Sequence, residues 1–153
     1  MVKNDAVILI KGEQVIDGEH DVTEIDVTGA LSETQDGLKL EFWEYLDGNE
    51  KVHTEITVSE NTVSMTKHGS VATEMIFEKG VRHNGEYSTP IGVLSVGIST
   101  NDVRVDIENG SGKILLEYDL DFNTGFIAQN KLEITLNPQA IKQIKEKTDV
   151  RIG

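Results

Sequence analysis

Side chains that take turns, apolar then polar, constrain this chain more than any other feature. Val52, Thr54, Ile56 and Val58 alternate with Lys51, His53, Glu55 and Thr57. Val103, Val105 and Ile107 alternate with Asp102, Arg104, Asp106 and Glu108. The longest run sets Ile114, Leu116, Tyr118, Leu120 and Phe122 against Lys113, Glu117, Asp119 and Asp121, with Leu115 the exception on the polar side. A period of two places one face on a core and the other in water, as half-buried antiparallel strands do. Turn signals separate these runs: Asp17-Gly18, Asp36-Gly37, Asp47-Gly48-Asn49, Glu60-Asn61, His68-Gly69, Lys79-Gly80, Thr89-Pro90, Asn101-Asp102, Asn109-Gly110-Ser111-Gly112 and Asn123-Thr124-Gly125. Gly and Asn tolerate the positive φ that tight hairpins require. Their spacing of roughly 8–12 residues is that of an all-β sandwich or barrel.

A meander of about ten strands leaves two unpaired edges if it stays open, and closure removes both. The reading is therefore an all-β, closed antiparallel barrel of about eight to ten strands, spanning residues 1–153 as one domain. Helix has little room. Asn137 caps a short C-terminal helix over 138–147 that starts at Pro138 and carries Ala140, Ile141 and Ile144 on one face.

Composition excludes several function classes. With no cysteine, disulfides and thiolate metal centres are ruled out, and cytoplasm is the default location. The apolar run Ala6–Ile10 is too short for a signal peptide, and no stretch has the length of a membrane span. The net charge of −13 repels phosphate backbones and anionic lipid, so neither nucleic acid nor membrane is an expected partner. The basic group Lys142, Lys145, Lys147 and Arg151 reads as a complement to a helix dipole. No GxSxG, Walker or GxGxxG motif occurs, and no cofactor is expected.

From His68 to Leu136 the run HGSVATEMIFEKG, then GEYSTPIGVLSVGIST, GKILLEYDL and NKLEITL, resembles the YwiB-like proteins, small bacterial proteins of unknown function. WEYLDGNEKVHTEITV at 43–58 fits the same order upstream. The resemblance implies a calycin (lipocalin-like) barrel and no known activity. On its pattern fall Glu44, Tyr45, Gly69, Phe77, Tyr87, Thr89, Pro90, Gly92, Thr100, Gly112, Tyr118 and Asn130.

Site candidates are polar residues that parity assigns to the apolar face. Asn130 is the polar member among Phe126, Ala128, Leu132, Ile134 and Leu136; Glu44 follows Leu38, Leu40 and Phe42. Thr54, Thr73 and Tyr118 point inward by the same count, and Tyr87 joins them as a candidate of the barrel interior or mouth. Buried polar groups need partners, because an unsatisfied one costs about 1–3 kcal/mol. Glu44, Asn130 and Tyr118 either bond to one another near a mouth or line a cavity for a ligand. A bulge near Phe42 would exchange Glu44 for Trp43 and Tyr45 on the inner face. His20, His53, His68 and His83 read as separate surface imidazoles, without a metal site: in the hairpin turning at Gly80, His83 falls beside Phe77 and His68 opposite Gly92. The acids Glu117, Asp119 and Asp121 read as solvated outer surface.

The leading functional expectation is a non-catalytic binding module whose interior holds a small, partly apolar or amphipathic molecule. The alternatives are an acidic-surface interaction or scaffold domain with a packed core, and an enzyme using Glu44 assisted by Asn130 and Tyr118.

Overall fold

The computed structural model describes residues 3–45, 50–60, 62–70, 72–89, 92–122, 125 and 127–137. They form ten strands and, among the described residues, no helix: β1 Lys3–Ile16, β2 Glu19–Glu33, β3 Leu38–Tyr45, β4 Lys51–Val58, β5 Thr62–Gly69, β6 Ala72–Glu78, β7 Arg82–Thr89, β8 Gly92–Glu108, β9 Ser111–Phe122 and β10 Ile127–Asn137. The expected helix over 138–147 lies outside the described residues, as does Phe126.

Every strand pairs antiparallel with its neighbour in sequence, and β10 returns to β1, closing the barrel. Two tight turns show why the hairpins form where they do. Asp17 and Gly18 have φ of 50° and 79°, and Asn109 and Gly110 have 56° and 77°. Positive φ at both central residues is the two-residue hairpin turn whose twist matches the flanking strands.

Asn101-Asp102 is not a turn. The β8–β9 register shifts between Thr100 and Asp102, which makes Asn101 a bulge inside one continuous strand. The extra residue is left out of the ladder, so the inward set passes from even to odd positions: Val96, Ile98 and Thr100 before it, and Val103, Val105 and Ile107 after it, by their partners on β9.

Two long strands bend between layers. β2 pairs with β1 from Glu19 to Ser32 but with β3 only over Ala30–Glu33. β8 pairs with β7 over Gly92–Ser99 and with β9 over Val96–Glu108. Paired residues share a face, so the ladders can be followed around the inside. Val105, Ile114, Ile134, Ile10 and Ile25 form one inward row across β8, β9, β10, β1 and β2. Ile8, Leu40, Ile56, Val63, Phe77, Ile98, Ile114, Leu116 and Ile134 are each 0 % exposed and fill the centre. Burying each such side chain is worth about 1.5–3 kcal/mol.

Candidate functional site

The inner face carries polar groups in two places. The first is a row across the large sheet: Phe42, Thr54, Lys67, Thr73, Tyr87 and Leu94 are successive ladder partners from β3 to β8. Glu44 stands beside this row, two residues beyond Phe42. Its carboxylate accepts from Lys67 Nζ at 3.3 Å and 3.5 Å and from the Thr54 hydroxyl at 3.4 Å. Thr54 and Thr73 are buried, and the Thr73 hydroxyl has no hydrogen-bond partner. Tyr87 and Leu94 are 38 % and 54 % exposed, so the inward row ends at an open rim. A separate groove of about 420 Å³ lies over the outer face of β5, β6 and β7, lined mainly by outward residues such as Thr66, His68, Glu74, Ile76 and Glu86.

Of the sequence candidates, Thr54, Thr73 and Tyr87 lie along this row and Glu44 beside it, whereas Lys67 was not among them. The signal was present: Val63, Met65 and Lys67 alternate along β5, and the first two are core. Trp43 and Tyr45 point outward, 45 % and 77 % exposed, because β3 runs without the bulge that would have exchanged them for Glu44.

A second polar row crosses the other layer: Thr100, Tyr118, Asn130, Gln14 and Asp21 are successive partners. Gln14 Nε2 donates to Asn130 Oδ1 at 2.9 Å, and Asn130 Nδ2 donates to the Ala128 carbonyl at 3.1 Å. The Thr100 hydroxyl is buried without a partner. Tyr118 packs edge-on against Phe77, ring centroids 4.7 Å apart, and burial pushes its phenol up to about 12. Hence Glu44 does not bond to Asn130 and Tyr118. Alternation fixes which face a residue takes, but strand stagger decides which inward residues meet, and it sends Glu44 to Lys67. Among the described residues, Glu44 instead bonds to Thr54 and Lys67, and Asn130 to Gln14.

Outside the barrel, the histidines are not all solitary. His53 and His68 are direct ladder partners, so His68 sits beside His53 on β4 rather than opposite Gly92, because β5 has already turned into β6. His83 Nε2 lies 3.0 Å from Glu78 Oε1. His53 also packs against Trp43 at 4.8 Å, with Lys51 Nζ 4.9 Å from the indole centroid. Glu41, His53 and Glu55 bring their donor atoms within 4.8 Å of one another. Lys39 Nζ lies 3.1 Å from Glu41 and 3.7 Å from Glu55, and the Glu41 hydrogen bond, outweighing desolvation, holds its ammonium above the usual lysine range. Of the outer acids on β9, Asp121 is held by Arg82 at 2.7 Å.

Fold and site together define a closed ten-strand barrel, filled by aliphatic side chains, with a charged pair set inside one mouth. The chain belongs to the family described as Domain of unknown function (DUF1934), whose model matches residues 8–134. It is 29 % identical over 121 residues to the "Uncharacterized beta-barrel protein YwiB" of Bacillus subtilis (strain 168), a match covering 78 % of this chain and 84 % of that protein. The crystal structure of the ywiB protein from Bacillus subtilis superposes with a TM-score of 0.76 at 25 % identity, covering 87 % of this chain and 92 % of that one. The YwiB-like resemblance carried by the β6–β10 motifs is thereby established.

Proposed function

We propose that this protein is a non-catalytic binding module, and that its ligand is a small amphipathic molecule taken at the barrel mouth. The observation that carries this reading is the Glu44–Lys67 pair, turned inward at 3.3 Å next to the buried, unpartnered Thr73 hydroxyl. An ion pair partly withdrawn from bulk water, as this one is, is costly to the extent that its remaining donors and acceptors go unused. A ligand head group that both donates and accepts would use the free Lys67 protons, Glu44 oxygens and Thr73 hydroxyl. Tyr87 and Leu94 at the rim offer apolar surface to the rest of the molecule. The aliphatic filling below the row supports binding at the mouth rather than deep in the barrel. The absence of cysteine is consistent with a cytoplasmic role, which is part of this proposal.

The test is native mass spectrometry of the protein purified without detergent, followed by melting-temperature shifts with a panel of medium-chain acids, alcohols and amino-alcohols. A stabilising compound should lose at least about tenfold in affinity to a Lys67→Met, Glu44→Gln double variant, which removes both charges together and so leaves neither unpaired. A binder indifferent to that variant, or a panel that never shifts the melt, refutes the assignment.

A further inference from the structure

On the outer face of the barrel, away from the mouth, β3 and β4 hold three donor groups in fixed register. Glu41 and Glu55 are direct ladder partners, and His53 lies two residues from Glu55 on the same face. Their ligand atoms fall within 4.8 Å of one another, and each residue is half-buried. We propose that Glu41, His53 and Glu55 form a binding site for a divalent transition-metal ion of the zinc class, in competition with the Lys39 ammonium.

Three observations on different groups support this. The first is Lys39 itself. Its Nζ sits 3.1 Å from Glu41 and 3.7 Å from Glu55, so the two carboxylates already converge on one cation. An ammonium is a monovalent occupant that engages the oxygens alone. A zinc-class ion takes both oxygens and the imidazole nitrogen at about 2.0–2.2 Å, a gain that Lys39 cannot match.

The second is the imidazole. Its Nδ1 lies 3.9 Å from Glu55 Oε1, while the ring packs at a tilt against Trp43, with centroids 4.8 Å apart. Packing limits the ring's rotation and keeps that nitrogen near the carboxylate. A nitrogen donor beside two carboxylates favours zinc, cobalt or nickel over calcium or magnesium, which prefer all-oxygen shells.

The third is access. A groove of about 530 Å³ opens beside the cluster where β2 peels away from β3, and Glu41, His53, Trp43, Tyr45 and Asp26 line it. Three protein donors with an open side leave a coordination position facing that groove. The strands supply the rigidity: side-chain origins are fixed by ladders on both sides of β4.

The experiment uses the full chain. Zn²⁺ is titrated calorimetrically, and Co²⁺ is followed by its visible absorption, which reports coordination geometry. His53→Ala and Glu41→Gln should each weaken binding by at least about tenfold, while Lys39→Met strengthens it by removing the competing cation. His20→Ala and His83→Ala, which alter imidazoles outside the cluster, should leave affinity unchanged. Circular dichroism and a melt on every variant confirm that the barrel is intact. Absence of Zn²⁺ binding to the wild-type chain overturns the assignment. So does binding that survives His53→Ala but falls in His20→Ala or His83→Ala, which would put the ion elsewhere.

Discussion

Tyr118 shows what one buried hydroxyl does to a molecule like this. Its ring is held edge-on against Phe77, with ring centroids 4.7 Å apart. Desolvation raises its titration from 10.0 to about 12. The neutral phenol is thus favoured by folding; the associated stability is complete below pH 10 and is lost as pH climbs towards 12. Tyr118→Phe keeps the ring contact and removes the ionisable group. It should be neutral or stabilising at pH 7, and should unfold at higher alkali than the wild type; chemical denaturation at pH 7 and pH 11 compares the two. If the variant loses more than about 1 kcal/mol at pH 7, the hydroxyl has a hydrogen-bond partner. At this scale the sequence was informative about direction and silent about company. Parity placed Glu44, Thr54, Thr73, Tyr118 and Asn130 inside. It could not show that Gln14 meets Asn130, since the two are 116 positions apart and joined by barrel closure.

Strand β8 carries the lesson for elements. Asn101-Asp102 reads as a turn because Asn and Asp favour turns, yet the chain continues straight through it with one residue left over. Local chemistry gives a bulge and a turn much the same signature, so only pairing on both sides separates them. The bulge joins two inward sets of opposite parity, one ending at Thr100 and the other beginning at Val103. Deleting Asn101 alone leaves Thr100, Asp102 and Val103 in regular alternation, whereas deleting Asn101 and Asp102 together would turn Val103 and Ile107 outward and drive Arg104 and Asp106 towards the aliphatic centre. The double deletion should cost about 3 kcal/mol or more from lost burial alone, whereas the single deletion, which keeps every inward residue inward, should cost less than about 1 kcal/mol. Urea denaturation of the two variants distinguishes them, and equal midpoints would mean that β8 can slip. The regular hairpins were easier to read, because Asp17-Gly18 and Asn109-Gly110 announce both the turn and its two-residue length.

For the molecule as a whole, the class was legible from alternation, and the number of strands favoured a barrel over a sandwich without separating the two, a choice the β1–β10 ladder makes. The bending of β2 and β8 between layers was not legible, since it depends on where β3 and β7 stop pairing. Charge gives the acid response. Hydrogen bonds from Arg82 and Lys113 hold Asp121 and Glu133 below their ordinary 3.8 and 4.5. Asp102 is pushed up by desolvation, but Arg104 and Lys79 outweigh it and leave it low as well. All three are depressed on folding, so their contribution is complete above those ordinary values and disappears as pH falls through the lower folded ones. Thermal midpoints measured from neutral pH into acid should therefore decline below about pH 4, the region set by these carboxylates. An Asp121→Asn, Glu133→Gln variant should follow a shallower curve, and an unaltered slope would show that these exposed pairs contribute nothing.

Trp43 is the chain's one indole, and it lies on the outer wall between His53 and Lys51 rather than among the aliphatic filling. Its emission is therefore a lamp fixed to the exterior. A quencher dissolved in the buffer reaches it without unfolding anything, and an ion captured by His53 dims it from a few ångströms away. A guest in the mouth changes the melt instead, so light and heat report on opposite sides of the same strand.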